Sequence, residues 1–173
     1  MALALWITGM PGCGKSTIAE ALKKRCPSFI ILRMDELRRL ATPQPTYSNE
    51  ERDILYRGII YTAKIMINSG HNVIIDATGN LRKWRELARE TLPAFAEIYI
   101  NCPLDVCRQR EQGRDIKHSA PSDIYKKAES GSPVPGVNVP YEPPQHPEVT
   151  VESNVLSVED MVERIIDFLN KQT

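Results

Sequence analysis

Gly9-Met10-Pro11-Gly12-Cys13-Gly14-Lys15-Ser16-Thr17 is the stretch whose reading decides the fold. It fits G-x-x-x-x-G-K-[ST], the phosphate-cradling P-loop. An apolar run, Leu3–Thr8, precedes it and a helical pattern follows, which is the strand-turn-helix setting the motif needs. The glycines let backbone N–H groups crowd around phosphate oxygens, and the next helix offers its positive N-terminal end. On this reading Gly9, Met10, Pro11, Gly12, Cys13, Gly14, Lys15, Ser16 and Thr17 bind ATP. Lys15 reaches the β- and γ-phosphates, and the Ser16 hydroxyl holds Mg²⁺. An ordinary glycine-rich turn would satisfy the strand-to-helix connection without fixing four positions.

The 173 residues suit one domain with a buried core. Lysine and arginine together number 22 and so do aspartate and glutamate, which leaves no basic field for nucleic acid and no acidic tail. A small-molecule partner is expected. The N-terminal apolar run is too short to span a bilayer and leads directly into the P-loop, so a cytoplasmic protein with no membrane partner is expected. Cys13, Cys26, Cys102 and Cys107 contain no C-x-x-C pair, which argues against a zinc site or structural disulfides. A homodimer is compatible with the sequence.

Outward from the P-loop, the pattern predicts a helix over Lys15–Arg25, a strand over Phe29–Leu32, and then Arg33-Met34-Asp35-Glu36-Leu37-Arg38 at the carboxyl end of that strand. Open α/β sheets place ligands at such ends, which marks Asp35. Ser48 and Glu51 form a capping box for a helix from about Asn49 to Ser69 that carries Arg52 and Arg57. These two arginines are five apart and project in different directions. A third strand, Asn72–Ile75, runs into Asp76-Ala77-Thr78-Gly79-Asn80. A helix at Leu81–Thr91, a strand at Ala96–Ile100, a helix opened by Pro103, a strand at Glu148–Glu152 and a helix capped by Ser157 complete the alternation. The fold class predicted is α/β, a P-loop three-layer sandwich with about five parallel strands. Between Gly113 and Pro147 prolines crowd in with few apolar runs, and this segment is expected to be a binding lid with one helical turn near Ser122–Glu129.

Asp76-Ala77-Thr78-Gly79 fits the D-x-x-G box of GTPases, but no N-K-x-D box follows it. Short length, an acidic motif after the second strand and a basic lid point instead to a kinase acting on a small alcohol, where catalysis rests on positioning and charge neutralisation.

The sequence resembles the adenylylsulfate (APS) kinase family from the P-loop nearly to the C-terminus. The motifs that carry the resemblance are Pro103-Leu104-Asp105-Val106-Cys107, Ile124-Tyr125-Lys126-Lys127-Ala128, Pro140-Tyr141-Glu142-Pro143-Pro144 and His146-Pro147-Glu148. The family's D-G-D-N-x-R appears with Asp35 at its second Asp and Arg38 at its Arg. Its F-S-x-x-D-R-x-x-N appears as Tyr47 to Leu55, with Arg52 kept. The resemblance implies ATP and Mg²⁺ as cofactors, adenylyl sulfate as substrate, and phosphorylation of its 3′-hydroxyl to PAPS. It implies Lys15 and Asp35 as catalytic residues, Ser16 and Asp35 on the metal, and Arg110 and Arg114 on ATP. It also implies Asp35, Arg38, Arg52, Arg57, Ile124, Lys126 and Lys127 on the acceptor. The sequence departs from the family at Arg33, where the first Asp is replaced, at Leu55, at Val134 and at the Asp76–Asn80 stretch. Loss of the aromatic at position 134 implies weaker acceptor stacking, to be regained by Val134→Phe. Two other readings stay open: a P-loop kinase for another small hydroxyl, and a nucleotide-binding regulator that transfers nothing.

Overall fold

The structure, a computed structural model, describes residues 2–113, 121 and 123–172. Strands β1 (Ala4–Thr8), β2 (Phe29–Arg33), β3 (Asn72–Asp76), β4 (Phe95–Asn101) and β5 (Val149–Glu152) form one parallel sheet in the order β2-β3-β1-β4-β5. Between and after them run helices α1 (Lys15–Arg25), α2 (Met34–Ala41), α3 (Asn49–Asn68), α4 (Arg82–Thr91), α5 (Leu104–Gln112), α6 (Ile124–Glu129) and α7 (Val158–Lys171). The predicted α/β sandwich with five parallel strands is thus present.

The central strand shows why the sheet needs helices on both faces. Every residue of β1 is buried, and its side chains alternate between two apolar clusters. Leu5 and Ile7 join Ile18 and Leu22 of α1 and Met161 and Ile165 of α7 on one face. Ala4 and Trp6 join Leu55, Tyr56 and Ile59 of α3 and Trp84 of α4 on the other. A strand buried on both sides reads as a continuous apolar run, because neither face can be polar. Each fully buried Leu or Ile here contributes about 1.5–3 kcal/mol.

Two elements differ from the sequence reading. Met34–Ala41 is a helix, with Asp35 and Glu36 in its first turn and Arg38 and Arg39 in its last, the polarity that complements a helix dipole. The proline-rich segment, expected as a lid, is in part tied to the rest of the fold. From Pro133 to Glu142 it is fastened to the body: Arg52 Nη2 donates to Pro133 O at 3.0 Å, Asn80 Nδ2 to Pro140 O at 2.8 Å, and Glu142 N to Asn80 O at 2.7 Å. Val134 is buried in the α1/α7 cluster, and the Tyr141 ring stacks on Tyr99 at 6.3 Å. Prolines fix φ and remove donors, yet the backbone groups left over can still bond to fixed neighbours, which the proline count did not reveal.

Candidate active site

β1 ends between β3 and β4, where chain connections diverge to the two halves of the sheet, and the P-loop leaves from that point. Two glycines are required by close approach. Gly9 has φ +154°, and a Cβ there would lie 2.5 Å from Cys13 Sγ and 2.6 Å from the Ile100 carbonyl. Gly12 has φ +81°, and a Cβ would run into the Cys107 carbonyl on α5. The turn is therefore clamped from below. Lys15 Nζ donates to the carbonyls of Gly9 and Met10, 2.9 Å each, and Tyr125 Oη donates to Pro11 O at 2.6 Å. Cys13, which the sequence placed beside phosphate, is wholly buried; burial pushes its thiol pKa up despite the pull of Lys15. It packs the loop.

A cavity of about 710 Å³ opens in front of this loop. Ser16 and Thr17 of the P-loop and Asp76 from the end of β3 line it. Asp35 and Arg38 from α2 and Arg52 from α3 also line it. Both arginines are nearly buried and already engaged. Arg38 pairs with Glu51 and lies 4.7 Å above the Tyr47 ring, while Arg52 Nη1 donates to Asn80 Oδ1 at 3.2 Å. Held this way, each presents a guanidinium of fixed direction to an anion, with less side-chain entropy left to lose on binding. A third region is built by Arg110, whose Nη1 and Nη2 donate to Ser153 Oγ at 3.0 Å and Ser153 O at 2.6 Å, beside Leu156 and Met161.

Of the residues expected at the site, Pro11 to Thr17, Asp35, Arg38, Arg52, Arg110, Ile124 and Lys127 line this cavity. Gly9 and Met10 lie behind it, as the acceptors of Lys15. Arg57 does not reach it: five positions beyond Arg52 on a helix is a turn of about 140°. Its side chain is 62% exposed and bonded to Asp53 at 2.7 Å. Lys126 also points away, 69% exposed and 3.6 Å from Asp123. Arg114 lies outside the described residues. Leu55 faces the α3/α4 cluster and not the cavity. Val134 lines the cavity but is 3% exposed, so it closes the wall as core.

Sequence reasoning missed Asn80, Tyr56, Tyr125 and Ser153. Tyr56 Oη accepts from Gly79 N at 2.9 Å and its ring stacks on Trp84 at 4.3 Å, which fixes the turn after β3. Only the i, i+4 relation of Arg52 and Tyr56 on one helix could have flagged it.

The oxygen donors here, Ser16, Asp35 and Asp76, are those a hard divalent cation takes. No cluster of three His, Cys, Asp or Glu side chains suited to a metal occurs among the described residues. That combination fits Mg²⁺, which keeps several waters and uses one or two protein ligands plus phosphates, and does not fit an all-protein cage.

A P-loop, a carboxylate and two fixed arginines lining one cavity define a P-loop phosphotransferase of the small-kinase type. The chain matches the adenylylsulphate kinase family model over residues 1–152. It is 32% identical over 169 residues to an adenylyl-sulfate kinase of Rippkaea orientalis, covering 94% of this chain and 88% of that protein. It is 34% identical over 177 residues to a probable adenylyl-sulfate kinase of Bacillus subtilis, covering 97% and 85%. Among solved structures it superimposes on the Mycobacterium tuberculosis APS kinase CysC in complex with AMPPNP and APS with TM-score 0.84 and 25% identity, covering 98% of each chain. The chain belongs to the adenylylsulphate kinase family.

Proposed function

We propose that this chain transfers the γ-phosphoryl of ATP to the 3′-hydroxyl of adenylyl sulfate, giving PAPS and ADP. The observation that carries the reading is the single cavity that Lys15, Ser16, Asp35, Arg38 and Arg52 line together. Phosphoryl transfer asks little covalent chemistry of the protein, so positioning and charge account for most of it. Asp35 accepts the proton of the attacking hydroxyl as its oxygen bonds to the γ-phosphorus and the bond to the bridging oxygen breaks. Lys15 and the loop's N–H groups stabilise the equatorial oxygens. Arg38 and Arg52 bind the phosphosulfate by the faces of their forks not given to Glu51, Asn80 and Pro133. Ile124 and Lys127 close the acceptor side, and Arg110 with Ser153 forms the nucleotide-base end.

The test is a coupled ADP-release assay with ATP and adenylyl sulfate beside a panel of small alcohols. Turnover confined to adenylyl sulfate supports the reading, and turnover only with another alcohol assigns the chain to that acceptor. The second outcome is favoured by one observation, that positions 55 and 134 supply core packing and no polar or aromatic contact to an acceptor.

A cytoplasmic location is part of the proposal. It is supported by four free cysteines and by the absence, among the described residues, of any helix long and apolar enough to cross a membrane. So is a homodimer, supported by exposed Ile54, Tyr61 and Ile65 on the outer face of α3, and sedimentation equilibrium tests it.

A further inference from the structure

Tyr125 belongs to the Ile124–Ala128 motif, yet the mechanism above draws only on Ile124 and Lys127. Those two line the cavity, whereas Tyr125 does not; it is buried in the α1/α7 cluster. Its place is set from α5. The Glu111 carboxylate accepts from Ile124 N at 3.2 Å, and the Arg108 guanidinium lies 5.6 Å from the centre of the Tyr125 ring. From this position the Tyr125 hydroxyl donates to the Pro11 carbonyl at 2.6 Å, a bond between residues 114 apart in the chain.

That bond fixes more than a carbonyl. A trans peptide is planar with its C=O and N–H antiparallel, so a Pro11 carbonyl held on Tyr125 sends the Gly12 N–H the opposite way. Gly12 lines the cavity, and its N–H has no hydrogen-bond partner among the described residues. The loop's own chain does not hold the peptide there. Gly12 stands at φ +81°, and glycine tolerates either sign of φ, so the Pro11–Gly12 peptide is free to rotate unless something outside restrains it. The carbonyls of Gly9 and Met10 are held by Lys15, which gives them up on reaching the β- and γ-phosphates. The bond to Pro11 comes from another element and is kept. We infer that Tyr125 is a positioning residue of the phosphate cradle: its hydroxyl locks the Pro11–Gly12 peptide with the Gly12 N–H aimed at the phosphates of the bound nucleotide. A donor already aimed needs no reorientation when the anion arrives. The helix that brings Ile124 and Lys127 to the acceptor side is thereby also a fixed part of the nucleotide site. The inference deepens the kinase reading and rests on it for nucleotide binding, but it does not depend on the acceptor.

The experiment is calorimetric titration of AMP-PNP, and separately of adenosine, into the whole chain, unaltered and as Tyr125→Phe. Phenylalanine keeps the ring and removes only the hydroxyl. Expected is AMP-PNP binding weaker by about 5–10-fold in Tyr125→Phe, with adenosine, which brings no phosphate to Gly12, bound as before. AMP-PNP affinity within about twofold of the unaltered protein overturns the inference. An equal loss for adenosine overturns it as well, because it marks a general disturbance of the pocket. A second measurement needs no variant: in NMR spectra of the isotope-labelled unaltered protein the Gly12 amide proton must move downfield when AMP-PNP is added, as an N–H does on gaining an anionic acceptor. An unmoved Gly12 resonance overturns the inference even where Tyr125→Phe does not fold. If the unaltered protein does not bind AMP-PNP, the kinase reading and the inference fall together. Absence of turnover with adenylyl sulfate in a protein that does bind AMP-PNP refutes the acceptor assignment alone.

Discussion

Lys15 reaches only its own loop: its ammonium holds two P-loop carbonyls, with the Cys13 sulfur 3.9 Å away. Lys15→Ala is therefore expected to abolish ADP release with adenylyl sulfate while the melting temperature stays within a few degrees, read by a coupled assay and by circular dichroism. Asp35→Asn should lower kcat far more than it weakens AMP-PNP binding, because the proposed reaction sets its carboxylate on the acceptor hydroxyl. Collapse of nucleotide affinity with turnover preserved would place Asp35 on the nucleotide instead. Val134 reverses a sequence-based expectation. The side chain is packed against the α1/α7 cluster at 3% exposure, so Val134→Phe overfills a closed space. It is expected to destabilise by about 1–3 kcal/mol in urea unfolding and not to tighten acceptor binding.

Among the elements, α3 does the most to connect fold and site. Ser48 Oγ accepts from Glu51 N at 3.2 Å, as the capping box predicts, but the Glu51 carboxylate reaches further back than the cap. It accepts from Thr46 N at 2.5 Å and Tyr47 N at 3.2 Å and pairs with Arg38. Tyr47, at φ +57°, is held in a strained conformation by these bonds. Burial pushes the Glu51 pKa up, yet the hydrogen bonds from Thr46 and the Arg38 charge outweigh it, and the net shift is downward. A carboxylate depressed in the folded state stabilises fully above its unfolded pKa of about 4.3 and loses that contribution as pH falls through the folded value. Melting temperature should thus fall below about pH 4, with a shallower slope in Glu51→Gln. The proline-rich segment gives a second prediction at this scale. Proteinase K cutting between residues 123 and 131 should be suppressed by AMP-PNP plus adenylyl sulfate. The Pro133–Glu142 stretch, fastened through Arg52, Asn80 and Arg85, should resist in both states.

At the scale of the whole molecule, one buried arginine joins four segments of the chain. Arg85 of α4 is 2% exposed; its Nε donates to Glu97 of β4 at 2.5 Å, its Nη1 to Gly79 O and its Nη2 to Glu142 O at 2.6 Å. It thereby ties the helix, the sheet, the turn after β3 and the proline-rich strap. Arg85→Met leaves Glu97, among the described residues, with Arg89 as its one remaining cation, 3.7 Å away. The expected loss is about 3–5 kcal/mol, or a melting temperature lower by about 6–20 °C, checked by calorimetry. The turn that Arg85 holds also carries Asn80, the partner of Arg52, so acceptor affinity should fall in the same variant.

The sequence by itself determined the local and the periodic. The P-loop was legible because backbone geometry demands glycine and phosphate demands lysine and a hydroxyl at fixed spacing. The parallel sheet was legible because strands buried on both faces must be apolar throughout. Asp35 and Arg52 could be named from motifs a few residues long. Only the tertiary structure decided which side of α3 meets the cavity, and so separated Arg52 from Arg57 five residues on. It also decided that Val134 is core and that much of the proline-rich segment is strap. Asp76 and Arg33 stand 43 residues apart in sequence and meet across a strand register. Such pairings depend on strand order and on which backbone groups remain free to bond, and neither is encoded within the window of a single element.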